Sequence, residues 1–175
     1  MGLDVARIKA DFPILKRQVH GKRLVYLDSA SSSQKPIRVL DAMDDLYRTS
    51  YANIHRGVYT IAEESTAAYE AARAKVAAFV GAARPSEIVF VRNATEAINL
   101  VAYSWARQDL GEGDAIVPTH MEHHANVVPW HILAAERGVE LRWVPLTDDY
   151  RLDTSELPDL LRGAKLFAFT AMSNV

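Results

Sequence analysis

The spacing of apolar positions predicts helices in the first half of the chain and alternating strands and helices after it. Apolar residues that recur every three or four positions are typical of a helix with one buried face, and short continuous apolar runs are typical of buried strands. The helical spacing predicts helices over Leu3–Ala10, from Pro36 across Val39, Met43, Leu46 and Tyr47, from Thr60 to about Val80, from Asn93 across Ile98, Val101, Ala102 and Trp105, from near Pro129 to Gly138, and over Asp153–Arg162. The apolar runs predict strands over Arg23–Asp28, Ile88–Val91, Ala115–Pro118, Glu140–Pro145 and Lys165–Thr170. Because strands alternate with helices from about Ile88 onward, the pattern favours an α/β fold with a mainly parallel sheet flanked by helices.

Local signals predict where several of these helices begin and end. Asp4 and Asn93 each stand where a side-chain oxygen can cap the first turn of a helix. Thr60 and Glu63 have the spacing of a capping box, and Gly81 stands where a left-handed residue would end the same helix. We expect that helix to bury one apolar face, formed by Tyr69, Ala72, Val76, Phe79 and Val80.

Composition narrows the functional classes. A net charge of −2, with lysine and arginine scattered along the chain, does not indicate a nucleic-acid or membrane surface. The charged residues among the first dozen positions argue against a secretory signal, and we expect a cytoplasmic protein. The chain contains no cysteine, which excludes disulfides and a nucleophilic thiol within these residues. Because the last residues follow directly on a predicted strand, we also expect the chain to be part of a longer protein.

The first candidate site is the start of the helix that follows Ile88–Val91. The segment from Arg92 to Glu96 would present free backbone amides, among them those of Ala94 and Thr95, at the positive end of a helix dipole. Such a terminus can bind a phosphate group. The alternative is a plain capped helix without a ligand.

The second candidate site is the histidine-rich segment after Ala115–Pro118. His120, His123 and His124 lie there with Glu122. They could bind a metal ion, for which only His120 and His124 have a suitable spacing in a helix. They could instead place one imidazole flat against a planar cofactor, or they could be solvated turn residues. Parallel sheets bind ligands where adjacent strands end, so we expect both candidate sites to lie in one crevice.

Two further polar positions could contribute to a site. His55 and Arg56 lie in an irregular segment, where Arg56 could bind a carboxylate or phosphate or could be a surface residue. Asn174 follows the last predicted strand and could line the same crevice or form part of a turn.

Motifs along the whole chain resemble the N-terminal part of the SUF-type cysteine desulfurases. These are pyridoxal 5′-phosphate (PLP) enzymes of the aminotransferase class V family with the fold-type I architecture. The matching motifs, in family order, are Phe12–Leu15, Tyr26–Ala30, Gln34–Pro36, Asn53–Gly57, Phe90–Leu100, Met121–Trp130 and Ser173–Val175. The resemblance implies an N-terminal segment over residues 1–22, followed by the N-terminal part of the PLP-binding large domain over residues 23–175.

The resemblance also implies roles for individual residues. It places Ala94 and Thr95 at the cofactor phosphate, and His123 stacked on the pyridine ring with a possible part in proton transfer. It places Asn174 at the ring hydroxyl or the substrate carboxylate. The remaining roles are Ala30 beside the substrate, His55 and Arg56 near the dimer interface and the mouth of the active site, and Arg92 with Glu96 in ion pairs at the interface.

The resemblance implies that the whole enzyme converts L-cysteine to L-alanine and passes sulfur to an acceptor protein of the SUF system, with selenocysteine as an alternative substrate. The resemblance implies a homodimer and a role in iron–sulfur cluster assembly. Its chemistry also needs a lysine that binds PLP, an aspartate at the ring nitrogen and a cysteine that carries the persulfide. In the family all three follow the residues present here, so we expect the chain alone to be inactive. Alternatives are a non-catalytic dimerisation module, half of a split enzyme, and a histidine-based metal protein.

Overall fold

A computed structural model describes residues 2–29 and 32–173. These residues form two compact units, Met1–Val89 and Phe90–Val175. The predicted boundary between residues 22 and 23 separates an N-terminal segment from the PLP-binding large domain, whereas the boundary between the two units falls at residues 89 and 90. The predicted boundary stays a prediction. Each unit is described by itself.

The first unit is mainly helical. Its elements are helix α1 (Val5–Ala10), a 3₁₀ turn (Pro13–Lys16), strands β1 (Gln18–Val19) and β2 (Lys22–Arg23), helices α2 (Ile37–Thr49) and α3 (Thr60–Val80), and a 3₁₀ turn (Pro85–Glu87). The Asp4 side chain accepts a hydrogen bond of 3.0 Å from the amide of Arg7, so the predicted cap of α1 is confirmed. Gly81 ends α3 in the left-handed region with φ 75°, also as predicted.

Three predictions for the first unit are wrong. Of the strand predicted over Arg23–Asp28, only Arg23 lies in a strand, and residues 24–28 are irregular. β1 and β2 instead form an antiparallel hairpin around His20 and Gly21, both with positive φ as a tight hairpin turn requires. Tyr59, without a side-chain hydrogen bond, occupies the cap position of α3, so Thr60 and Glu63 form no capping box. Phe79 is 92% exposed, because no described residue covers that face of α3.

The predicted strand over Ile88–Val91 is also absent. Ile88 is extended, but residues 88–91 pair with no described strand, and the guanidinium of Arg73 donates to the carbonyl of Ile88. A strand needs a neighbour for its backbone groups, and here a side chain on α3 satisfies one of them.

The second unit is an α/β layer. It contains α4 (Ala94–Val101), continued by a π-helical turn (Ala102–Ala106) and Arg107–Asp109, then β3 (Ala115–Pro118), a 3₁₀ turn (His124–Asn126), α5 (Val128–Arg137), β4 (Glu140–Leu141), α6 (Leu157–Leu160) and β5 (Ala164–Ala168). The strands form a parallel sheet in the order β4–β3–β5. The predicted parallel sheet is therefore confirmed, although β4 and α6 are shorter than expected.

The core of the second unit lies around the central strand. All four residues of β3 are buried, and Ile116 packs with residues of the π-helical turn, α5 and β5. The cluster consists of Ala102, Ala106, Leu110, Ile116, Trp130, Leu133, Val139 and Ala168. This packing fixes the carboxyl ends of β3 and β5 side by side, and the candidate site is built from the residues that follow them.

Candidate active site

Glu122 joins the ends of the two adjacent strands. Its Oε1 accepts hydrogen bonds from the hydroxyl of Thr119, which follows β3, at 2.6 Å, and from the amide of Thr170, which follows β5, at 2.8 Å. Ser173 adds a further link, since its hydroxyl donates to the carbonyl of Met121 at 3.0 Å. The strand end adjacent to that of β3 is therefore that of β5. Ile88–Val91, which the sequence pattern placed beside Ala115–Pro118, forms no strand in the described residues.

The turn that leaves β3 holds the imidazole of His123 in one orientation. His123 Nδ1 accepts a hydrogen bond of 3.1 Å from the amide of Ala125. Because an amide can only donate, Nδ1 must carry a lone pair, so the neutral ring has its proton on Nε2. The side chain is exposed. It can therefore meet a ligand with a fixed ring and a donor at Nε2.

The start of α4 offers free backbone donors. The Asn93 side chain accepts from the amide of Glu96 at 2.9 Å, which confirms the predicted cap. The amides of Ala94 and Thr95 precede the first intrahelical bond. Among residues 2–29 and 32–173, no acceptor for either amide is found. The two amides and the Thr95 hydroxyl thus form a donor set at the positive end of a helix.

Arg92 and Glu96 pair with each other beside this donor set. The carboxylate of Glu96 accepts from the backbone amide of Arg92 at 2.7 Å and from its Nε at 3.2 Å. These bonds to Arg92 hold the pKa of Glu96 below its ordinary value. The pair is local within the chain, and its predicted place at a dimer interface stays a prediction.

The two candidate sites lie on neighbouring elements. The 3₁₀ turn His124–Asn126 packs against α4 within the same unit. The helix that carries the donor set is therefore in contact with the turn that directly follows His123. Either site alone would be an ordinary helix start or an ordinary turn.

The other two histidines of the segment do not join them in a metal site. The His120 ring lies 5.3 Å from the Trp143 ring, and the His124 ring stands edge-on to His123 at 6.3 Å. Throughout the part of the chain that the structure describes, no three His, Cys, Asp or Glu side chains are grouped so that they could hold a metal ion. The structure gives the metal alternative no support.

His55 and Arg56 lie in the first unit, where their segment is attached to α3. The amide of His55 donates to the Thr66 hydroxyl at 2.9 Å, and His55 Nε2 lies 3.5 Å from a carboxylate oxygen of Glu70. His55 adopts a left-handed backbone conformation with φ 68°. Ala30 and Asn174, the other predicted site residues, lie outside the described residues.

From the sequence, Glu122 was only a candidate metal ligand, and the hydrogen bonds that Thr119, Asn126 and Thr170 donate to it were not predicted. Asn126 donates to Glu122 Oε2 at 2.8 Å and accepts from Trp130 Nε1 at 3.0 Å. The i, i+4 spacing from Glu122 to Asn126 and from Asn126 to Trp130 was the available signal. Thr170 had none, since it is 48 residues from Glu122 in sequence.

Comparison with known proteins identifies the family. The profile of the aminotransferase class-V family matches residues 25–175. The chain belongs to the aminotransferase class-V family. The α/β architecture with its parallel sheet agrees with this assignment.

Relatives within the aminotransferase class-V family are cysteine desulfurases. A cysteine desulfurase of Pectobacterium carotovorum is 51% identical over 176 aligned residues, which cover 100% of this chain and 43% of that protein. One from Dickeya dadantii is 52% identical over 172 aligned residues, covering 98% of this chain and 42% of that protein. The chain thus spans about two-fifths of the length of these relatives.

Solved class-V structures show the same fold. The apo cysteine desulfurase of Thermococcus onnurineus NA1 superposes with a TM-score of 0.89 at 35% identity, over 100% of this chain and 42% of that one. The cysteine desulfurase CsdA of Escherichia coli, in its S-sulfonic acid form, gives 0.79 at 38% identity, over 100% of this chain and 43% of that one.

The hydrogen-bond donors at the start of α4, together with His123, have the chemistry to bind PLP. The unpaired amides of Ala94 and Thr95 suit the dianionic phosphate, and the exposed ring of His123 suits the face of a planar heterocycle. Ala94 supplies no hydroxyl, so one side-chain donor that a threonine would add is missing while the backbone donors remain.

Proposed function

We propose that this chain is the N-terminal part of a SUF-type, PLP-dependent cysteine desulfurase. The whole protein would convert L-cysteine to L-alanine and pass persulfide sulfur to an acceptor protein for iron–sulfur cluster assembly. The single observation that carries the proposal is the packing of the 3₁₀ turn after His123 against the helix that bears the free amides of Ala94 and Thr95. The names and high identity of the relatives support the reaction class.

The residues of this chain would bind and orient the reactants. The amides of Ala94 and Thr95, with the Thr95 hydroxyl, would hold the phosphate, helped by the positive end of α4. His123 would lie against the ring and hold a proton at Nε2, since Nδ1 is engaged by Ala125. When bound, PLP supplies an electron sink for the amino acid substrate.

The rest of the catalytic machinery would come from the remainder of the protein. The chain has no cysteine, so the persulfide carrier cannot lie within it. We propose that the lysine that binds PLP and the aspartate at its ring nitrogen also lie elsewhere in the full-length protein, and that this protein is a cytoplasmic homodimer. No helix among the described residues is long and apolar enough to cross a membrane.

The proposal is tested with the full-length protein that carries this chain. Purified protein should show the visible absorbance of bound PLP and should produce alanine from L-cysteine. We expect H123A to weaken PLP binding roughly three- to tenfold, the value of one aromatic contact. The matched control is H124A, which removes the neighbouring exposed imidazole and should leave PLP affinity unchanged.

Two results would contradict the proposal, the first its function and the second the role it gives to His123. One is full-length protein that neither binds added PLP nor forms alanine from cysteine. The other is equal PLP affinity in the wild type and in H123A, which would remove His123 from the site. A protein that binds PLP but prefers another amino acid would retain the site and refute the substrate.

A further inference from the structure

Glu122 is the common acceptor of a buried and half-buried hydrogen-bond network. Three donors from three parts of the second unit converge on its carboxylate: the Thr119 hydroxyl at 2.6 Å, the Thr170 amide at 2.8 Å and the Asn126 side-chain amide at 2.8 Å. Thr119 is 1% exposed, and Glu122 and Asn126 are half-buried. Three convergent donors match the acceptor-only character of an ionised carboxylate.

The donors and acceptors of this network can be arranged in only one order from Trp130 to Glu122. The indole of Trp130 can only donate, and it donates to Asn126 Oδ1 at 3.0 Å. That bond fixes the Asn126 amide so that its Nδ2 faces Glu122 Oε2. Trp130 is 3% exposed, so its N–H has no solvent to turn to. The side chains must therefore bond in the order Trp130, Asn126, Glu122.

The network surrounds the turn that carries His123. Glu122 directly precedes His123, and Asn126 follows it by three residues. On one side Glu122 is held to the residues after β3 and β5, and on the other Asn126 is held to α5 through Trp130. Between them, the amide of Ala125 donates to His123 Nδ1. Both ends of the turn are thus fixed to rigid elements, and the imidazole is fixed within it.

We propose that Glu122 is a positioning residue for His123. The carboxylate of Glu122 holds the turn so that the imidazole of His123 faces the ligand site with its proton at Nε2. This inference rests on the proposed function for the identity of the ligand. It also makes a claim about the free protein, namely that the orientation of the ring exists before any ligand binds. Preorganisation of this kind lowers the cost of binding.

The hydrogen bonds at position 122 require a carboxylate, and an uncharged side chain of the same size cannot form all of them. In E122Q the new side chain has one acceptor oxygen and one donor nitrogen. If the oxygen keeps the bonds of Oε1, the nitrogen faces the Nδ2 of Asn126, and two donors oppose each other. Rotating the Asn126 amide relieves that conflict but turns its Nδ2 toward the Trp130 N–H. The mismatch is thereby moved along the network without being removed.

A second substitution should relieve the donor conflict in E122Q. In W130F the indole N–H is gone, so Asn126 is free to rotate and satisfy E122Q. We expect E122Q alone to weaken PLP binding by roughly tenfold or more, the value of a hydrogen bond to a charged group. In the W130F background the same change should weaken binding only about two- to threefold, because the donor conflict is absent. Comparing E122Q with wild type, and the double variant with W130F, removes from the comparison any effect of the packing lost with the indole ring.

The experiment uses the full-length protein and two independent readouts. The first is the dissociation constant of PLP, titrated into apoprotein by absorbance. The second is the His123 side-chain resonances of apoprotein in nitrogen-15 histidine NMR, assigned with H123A. We expect E122Q to shift the His123 resonances, and the double variant to restore them toward those of W130F. The matched control, E136Q, changes an exposed carboxylate of α5 and should alter neither readout.

The outcomes separate the two proposals. If wild-type protein binds no PLP, the proposed function fails, while the apoprotein spectra still decide the role of Glu122. Unchanged His123 resonances in E122Q overturn the positioning role even if the variant is less stable to denaturant, since a purely structural role would affect stability alone. Should E122Q not fold, T119V removes one of the three donors at nearly constant shape, and unchanged His123 resonances in T119V then overturn the role.

Discussion

At the scale of single residues, Glu96 shows how an exposed charge is fixed at the edge of a candidate ligand site. Its carboxylate accepts three hydrogen bonds from Arg92, two from the guanidinium and one from the backbone amide, and these lower the pKa of Glu96. A carboxylate near the start of α4 also interacts favourably with the helix dipole. The same charge would repel a bound phosphate if it were not paired with Arg92.

The lowered pKa of Glu96 predicts the sign of a pH effect on stability. Because the pKa is lower in the folded than in the unfolded protein, the ionised side chain stabilises the fold above its ordinary pKa of 4.5. This contribution is lost as pH falls through the lowered folded-state pKa. We expect E96Q to be less stable than the wild type at neutral pH, and the difference to shrink in acid. Urea unfolding at several pH values measures it.

The control for this prediction is Glu64→Gln, which removes an exposed carboxylate on α3 that forms no ion pair with any residue in the ranges 2–29 and 32–173. Its stability difference from the wild type should change less with pH than that of E96Q. A stability loss in E96Q that stays constant into acid would contradict the assigned role of the Arg92–Glu96 pair.

At the scale of elements, the irregular segment before α3 depends on close contact with that helix. Ser65, buried on α3, donates to the carbonyl of Ser50 and accepts from the amide of Ala52 at 3.2 Å. Gly57 lies so near the helix start that an added Cβ would meet the Cβ of Ala62 at 2.3 Å. Ala62 is fully buried and cannot move aside cheaply.

Substitution of Gly57 by alanine should therefore displace this segment from α3. We expect G57A to lower the free energy of unfolding by about 1–3 kcal/mol, the usual cost of overpacking. Chemical denaturation of the full-length protein measures the loss, and hydrogen exchange should show faster opening around residues 51–59.

The matched control for this substitution is G111A. An added Cβ at Gly111 meets nothing within 4 Å, and Gly111 has no positive φ. Its stability should therefore stay within about 0.5 kcal/mol of the wild type. Equal losses in both variants would show that the contact with Ala62 is not the cause.

At the scale of the whole molecule, the chain exposes many large apolar side chains. On α3, Val76, Phe79 and Val80 have the i, i+3 and i+4 spacing of one helix face, and all three are exposed. The relatives are more than twice as long as this chain. Contiguous apolar surface of this kind favours association in water.

We expect the 175-residue chain, expressed by itself, to self-associate because of this surface. Analytical ultracentrifugation should show concentration-dependent oligomers, and Phe79→Ser should reduce them without lowering the helix content measured by circular dichroism. Glu64→Gln, on the same helix, should leave the association unchanged. A monomer at all concentrations would show that the face of α3 does not drive association.

The sequence alone determined those features that depend on a few neighbouring residues. The caps by Asp4 and Asn93 and the helix ends at Gly81 and Gly138 follow from side chains and backbone preferences within one turn, and all were confirmed. The parallel arrangement of β3 and β5 also followed from local apolar runs separated by helices. The helix-start donor set was predicted for the same local reason.

Tertiary structure decided the features that need a distant partner. The segment Ile88–Val91 has the composition of a strand but joins no described strand, and Phe79 has the spacing of a core residue but is 92% exposed. Glu122 acquires its place because β3 and β5 bring Thr119 and Thr170 together across a long stretch of chain. Hydrogen bonds between such residues form only once packing has set the strand order, and for this reason no local pattern could predict them.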